Sequence, residues 1–153
     1  MIVEGTHLFP GPRDVVWALL LDPEVLAKTM PGTASIVRVS DDRYEGTMAM
    51  SIGPISAATF GVTISMTDRV EPEHYTMQIE GRGTFGFTRG KAVVTLVPEG
   101  TGTAMRYQAD LVVGGKIAAV GQRLLDSVSK LMLRQGLEAM TRELTRRLAG
   151  GAA

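Results

Sequence analysis

The sequence predicts an α+β domain in which an antiparallel sheet of seven strands curves around one long C-terminal helix. Three observations carry this. Runs of alternating apolar and polar residues fill most of residues 33–113, and such alternation puts every second side chain on one face of a strand. Short turn signals separate the runs: Ser40-Asp41-Asp42, Gly53-Pro54, Glu71-Pro72-Glu73-His74, the glycines from Gly81 to Gly86, and Pro98-Glu99-Gly100-Thr101-Gly102. Connections this short make antiparallel hairpins, because parallel pairing needs long crossovers. After Gly114-Gly115-Lys116-Ile117-Ala118 a proline-free helical pattern continues to about Leu148. That helix would be ~50 Å long at ~1.5 Å per residue. A long helix closing a curved sheet grips a space, which suits a protein that holds a molecule.

The elements follow in order. Ile2 to Phe9 reads as the first strand, and Pro10-Gly11-Pro12 stops it. Pro12 suits a first helical position and Asp14 a first turn, which places a short helix over Pro12 to Leu21. Asp22-Pro23-Glu24 repeats the signal with an aspartate cap, and that second helix ends at Met30-Pro31-Gly32. Six strands and the long helix complete a single domain over residues 1–149. Residues 150–153, Gly-Gly-Ala-Ala, form a short flexible tail. The 18 glycines exceed the ~7% average and fit the bulges and bends that curve a sheet.

Composition narrows the function. Lysine plus arginine total 16 and aspartate plus glutamate total 16, so no general charge draws the chain to nucleic acid. With no cysteine there is neither a disulfide framework nor thiolate chemistry. The first residues lack the basic start and apolar core of a signal peptide. The longest strictly apolar run, Val15 to Leu21, falls far short of the ~20 residues of a spanning helix. The expected location is cytoplasmic, with contact at most to the inner face of the cell membrane.

Alternation turns one set of side chains inward: Tyr44, Met48, Met50 and Ile52; Phe60, Val62, Ile64 and Met66; Tyr75, Met77 and Ile79; Met105, Tyr107, Ala109, Leu111 and Val113. Methionine is flexible and polarizable and lines adaptable sites. Tyrosine pairs an apolar body with a polar tip. The candidate ligand-binding residues are Trp17, Tyr44, Met48, Met50, Phe60, Tyr75, Met77 and Tyr107. A solid core beneath the helix is the plainer use of the same residues.

The long helix carries two apolar stripes. Ile117, Val120, Leu124, Leu125, Val128, Leu131 and Met132 form the first, with Asp126 and Lys130 opposite. The first is expected to face the sheet, with Ile117, Leu124 and Leu131 buried. Leu137, Met140, Leu144 and Leu148 form a second stripe on roughly the other side, with Arg142 and Arg146 nearby. One straight helix on one sheet does not bury both. The second stripe is therefore the candidate interaction surface, toward a second copy of the chain or a membrane. A bend at Gly136 that returns it to the core is the alternative.

The motifs for chemistry are weak. Gly81-Arg-Gly83-Thr-Phe-Gly86 matches the dinucleotide fingerprint in letters, but a strand-like run follows it where the fingerprint needs a helix. His7 and His74 stand apart with no ligands at zinc or iron spacing. No nucleophile elbow is present. No catalytic residue and no metal site are assigned.

An ordered set of fragments carries a resemblance: Val16-Trp17 with Leu20 and Asp22-Pro23, then Pro31-Gly32, Gly53-Pro54, Gly81 and Gly90, then Thr103 with Tyr107, then Gly114-Gly115-Lys116-Ile117-Ala118 with Gly121 and Arg123. Over about residues 3 to 135 the chain resembles the CoxG subunit of carbon monoxide dehydrogenase, a branch of the START-like or SRPBCC superfamily of helix-grip proteins. The resemblance implies a hydrophobic cavity and no catalytic apparatus. It also implies a partnership with a molybdenum hydroxylase such as carbon monoxide dehydrogenase, membrane recruitment of that enzyme, and handling of quinone. Many members carry a long tail beyond the helix. This sequence stops at Ala153, so either the tail's role is absent or the second stripe supplies it.

The expected function is a non-enzymatic carrier of a quinone or lipid, with no covalently bound cofactor and a quinone as the carried ligand. Expected partners are that small molecule, a molybdenum hydroxylase, the membrane surface and a second copy of the chain, with no nucleic acid. A polyketide-cyclase-like enzyme using the same cavity is one alternative. A protein-interaction module with a filled core is the other.

Overall fold

The structure, a computed structural model, describes residues 1–29 and 33–151. The strands are β1 (Ile2–Phe9), β2 (Thr33–Ser40), β3 (Arg43–Ile52), β4 (Ile55–Val70), β5 (His74–Gly83), β6 (Gly86–Glu99) and β7 (Gly102–Gly114). Helices α1 (Arg13–Leu21) and α2 (Pro23–Thr29) lie between β1 and β2, and α3 (Gln122–Gly151) closes the chain. The expected end of α2 at Met30-Pro31-Gly32 lies outside the described residues. All seven strands form one sheet in the order β1-β7-β6-β5-β4-β3-β2, and every pairing is antiparallel. Strands β2 to β7 are a meander of hairpins. The α1–α2 segment carries the chain from β1 at one edge to β2 at the other, which bends the sheet into a trough.

Each local signal has a physical outcome. Pro12, the first residue of the helix the sequence places there, is extended and caps α1, which begins one residue later. The Asp22 carboxylate accepts the Glu24 amide at 2.9 Å and starts α2 as a capping residue should. The fingerprint-like glycines span the β5–β6 hairpin, with no helix after them. Pairing registers shift between Arg38 and Ser40, Met50 and Ile52, and Thr67 and Val70. These irregularities sharpen the local twist.

The long helix is shorter than expected at its start. Gly115–Val120 is a 3-10 turn, and Gly121 at φ 98° separates it from α3. That conformation is open to glycine at little cost. At its other end α3 includes Gly150 and Gly151, where the sequence places the start of a tail. Its 30 residues span ~45 Å.

The two stripes of the helix both belong to the fold. In the first half, Leu125, Val128 and Met132 pack against the core and Leu124 reaches Gly53 at the β3–β4 turn. In the second half, Met140 and Leu144 are buried, and Leu137 and Leu148 are partly buried against the core. This corrects the reading of Leu137, Met140, Leu144 and Leu148 as an outward interaction surface. The reason is a change of partner along the helix. Past Met132, α3 leaves the sheet's hairpins and lies against α1, α2 and β1, which approach it from another side. Gly136 serves this approach: a Cβ there would lie 2.9 Å from the Thr29 carbonyl oxygen of α2. Leu131, expected to be buried, is 44% exposed. It sits on the helix edge that neither set of partners covers. Arg142 and Arg146 point to solvent.

Candidate functional site: an apolar chamber and its lateral cleft

The trough is filled at one end and half-open at the other. The filled end lies near the β1–α1, β2–β3, β4–β5 and β6–β7 connections. There Phe9, Val16, Leu19, Leu20, Ile64, Met66, Leu96 and Leu144 are buried together. Polar ties hold its lid in place. The Tyr44 hydroxyl donates to the Leu21 carbonyl at 2.6 Å, and buried Thr103 donates to the Gly11 carbonyl at 2.8 Å. Arg147 of α3 bridges Asp22 and Glu143. Bonds from Arg146 and Arg147 hold the Glu143 carboxyl down to about 2.

Toward the other end the inner surfaces face each other without sealing. On the sheet side, Met48, Met77, Ile79, Tyr107, Leu111 and Val113 are only half-buried; on the helix side, so are Leu124, Leu125, Val128 and Met132. These are the inward positions of their strands by pairing: Met77 faces Ala92, which faces Ala109, which faces Val3. The space between these half-buried walls, with methionines on each side, is the candidate chamber. Beside it, between β1 and α3, lies a cleft of about 550 Å³. Val3, His7, Tyr107, Leu133 and Leu137 supply its apolar and aromatic surface, and Glu4, Asp126, Lys130, Arg134 and Glu138 rim it.

The eight candidate ligand residues divide four ways. Trp17, Tyr44, Met50 and Phe60 are buried within the core. Met48 and Met77 stand in the chamber walls. Tyr107 reaches the lateral cleft, where its ring crosses Gly5. Tyr75 stands at the boundary: it is 3% exposed and meets the edge of Trp17 with ring centroids 5.5 Å apart. In its cross-strand row Tyr75 is followed by Val94, Tyr107 and Gly5.

The three tyrosines are chemically distinct. Tyr44 is committed to Leu21, and burial raises its pKa against the pull of Arg38 and Arg69. Burial raises Tyr107 as well. Tyr75 is raised most strongly, by burial and then by neighbouring Tyr44, so it stays protonated. His7, which the sequence leaves without a role, ties β1 to α3. Its Nε2 lies 2.8 Å from the Thr141 hydroxyl, which donates to the Leu137 carbonyl. Burial lowers the His7 pKa.

His7, Leu133 and Leu137 lie outside the expected ligand set. They enter because α3 turns a new face toward β1. Among the described residues there is no cluster of three metal-ligating side chains. None of the described helices is long and apolar enough to cross a membrane.

An antiparallel trough gripping a C-terminal helix over an apolar chamber is the START-like architecture. Solved structures agree on the fold. A START superfamily protein from Mycobacterium smegmatis superposes with TM-score 0.68 at 12% identity, covering 95% of this chain and 97% of that one. An aromatase/cyclase from a Streptomyces species gives 0.70 at 16%, covering 97% and 95%. A conserved protein from Geobacillus kaustophilus gives 0.89 at 29%, covering 96% and 97%. Among curated proteins none matches the chain. The family model for the CoxG subunit of carbon monoxide dehydrogenase matches residues 5–145, and the chain belongs to that family.

Proposed function

We propose that this protein is a non-catalytic carrier of an apolar small molecule, a quinone or a lipid, and an accessory of a molybdenum hydroxylase of the carbon monoxide dehydrogenase type. The observation that carries the reading is the chamber: two facing apolar walls, rich in methionine, left half-buried beside a well-packed core. Apolar surface held open in this way gains by receiving an apolar guest, at ~25 cal/mol per Å² removed from water. On this reading the lateral cleft beside it is the way in, with an apolar floor and a charged rim. The family supports the accessory role, and cytoplasmic work near the membrane's inner face fits a carrier that loads from lipid. The likeness to an aromatase/cyclase is one of fold alone. A cyclase-like activity would draw on His7, Tyr75 and Tyr107, the polar groups nearest the chamber.

Titration with decyl-1,4-benzoquinone tests the carrier. Trp17 is the sole tryptophan, and its emission reports events beside Tyr75. Saturable 1:1 quenching and a raised melting temperature are expected, since ligand at 100 times its Kd adds about 2.7 kcal/mol. No saturable signal and no shift with quinones or long-chain lipids would overturn the reading. Copurification with a molybdenum hydroxylase tests the accessory half.

A further inference from the structure

A second cleft, of about 710 Å³, lies at the filled end of the fold and shares no lining residue with the chamber or the lateral cleft. Trp17, Leu21 and Pro23 give it an apolar wall, and Arg38 of β2 and Arg69 of β4 enter it from strands that are not neighbours in the sheet. One carbonyl holds both cations. Arg38 Nη2 donates to the Asp41 carbonyl at 2.6 Å, and Arg69 Nη1 donates to the same oxygen at 2.9 Å. The Arg38 guanidinium also lies over the Tyr44 ring, 5.8 Å from its centroid. A shared acceptor brings two positive charges together, which is unfavourable unless an anion answers them. Among the described residues no carboxylate does. The ion pairs join Arg43 to Glu45, Arg146 to Glu143, and Arg147 to Asp22 and Glu143. Asp22 lines the cleft, but one of its oxygens accepts the Glu24 amide and the other faces Arg147. Glu71, also in the lining, is exposed and pairs with neither arginine.

We infer that this cleft is a second binding site, separate from the chamber, for a small monocarboxylate with a compact apolar body, such as an aromatic acid. The inference goes beyond the carrier reading and stands without it. Three features set the class. The planar fork of an arginine matches the two oxygens of a carboxylate, and both guanidinium groups keep N–H donors that the Asp41 turn does not use. The charge fits a single anion. Asp22 and Arg147 offset each other, which leaves two cations facing the one carboxylate of Glu71. The surplus is one positive charge, so an anion of charge −1 is neutralised and a dianion meets repulsion. The wall of Trp17, Leu21 and Pro23 favours an apolar body that leaves water there, and a bare inorganic anion has none to offer.

The test titrates the protein with benzoate, with its neutral counterpart benzamide, and with inorganic phosphate at pH 8, where phosphate is mostly doubly charged, all at one ionic strength. Binding is followed in 1H–15N NMR through the Trp17 indole and the backbone amides of Arg38 and Arg69. Benzoate should saturate one site, shift these signals, and bind at least tenfold more tightly than benzamide or phosphate, the scale of a charge-assisted hydrogen bond. Arg38→Gln and Arg69→Gln should each weaken benzoate at least tenfold. Both should melt close to wild type, because both side chains are exposed. Glu71→Gln should tighten benzoate, since it removes the like charge. Benzamide binding as well as benzoate would overturn the assignment, because the arginines then contribute nothing. Phosphate binding as well as benzoate would overturn the ligand class. Benzoate binding untouched by either arginine substitution, or absent from wild type, would place no such site here. Uptake of decyl-1,4-benzoquinone should be equal in Arg38→Gln and wild type. A joint loss of quinone and benzoate would make cleft and chamber one site and refute the separation, whereas loss of benzoate alone leaves the carrier reading standing.

Discussion

Leu144→Ala separates the two possible roles of the second helical stripe, core and contact surface. Leu144 is 0% exposed, and its methyls lie against Gly11 at the β1–α1 turn. Trimming such a side chain loses its transfer free energy and leaves a cavity, about 3–4 kcal/mol together. In a chain of 153 residues this lowers the melting temperature by roughly 6–16 °C, at about 2–4 °C per kcal/mol. Leu131→Ala is the control. Leu131 is 44% exposed, and alanine is as good a helix former, so the change should stay within about 0.5 kcal/mol. Urea and thermal unfolding of both variants give the comparison. If Leu131→Ala costs as much as Leu144→Ala, the first stripe alone is core and the packing of α3 against α1, α2 and β1 is wrong. Oligomeric mass should not change in either variant.

Other outcomes follow from the same contacts. Gly136→Ala should lower the urea midpoint although alanine favours a helix by about 1 kcal/mol, because its Cβ would press on the Thr29 carbonyl. Met77→Asp should fold and bind decyl-1,4-benzoquinone at least tenfold more weakly, since an unpaired charge in an apolar wall is costly; unchanged affinity in calorimetry would misplace the chamber. The pKa of His7 is lowered in the folded state, so as pH falls below 6.5 the unfolded chain takes up the proton first. Stability is full above that pH and declines as pH drops toward the lower folded value; His7→Gln should flatten this part of a urea-midpoint profile between pH 7.5 and 5.5. Glu143, held at about 2, contributes stability above its ordinary 4.5 that is lost as pH falls through 2, and Glu143→Gln should soften acid unfolding in that range.

The sheet was legible in the sequence because its signals are local. Alternation set which side of each strand faces inward, and the proline, glycine and aspartate turns set the hairpins. Tyr44, Phe60, Met66 and Tyr75 are all buried by that rule. The helix was legible in period but not in partner. The spacing of Leu137, Met140, Leu144 and Leu148 is plain, whereas the arrival of α1, α2 and β1 against them is a long-range event. The site divides in the same way. Alternation turned three tyrosines inward, but only the fold shows that Tyr44 spends its proton on Leu21, 23 residues away, and that Tyr75 meets the edge of Trp17. The lateral cleft needed β1 and the middle of α3 side by side, and that packing joins residues more than 100 positions apart, as the His7–Thr141 contact does.

Organic extraction of protein purified without detergent, followed by mass spectrometry, tests the carrier most directly. A carrier should yield one class of long-chain compound with a carbonyl-bearing head, near one molecule per chain and depleted in Met77→Asp. Extracts with no bound compound, from protein whose chamber also fails to take up an added quinone, would contradict it.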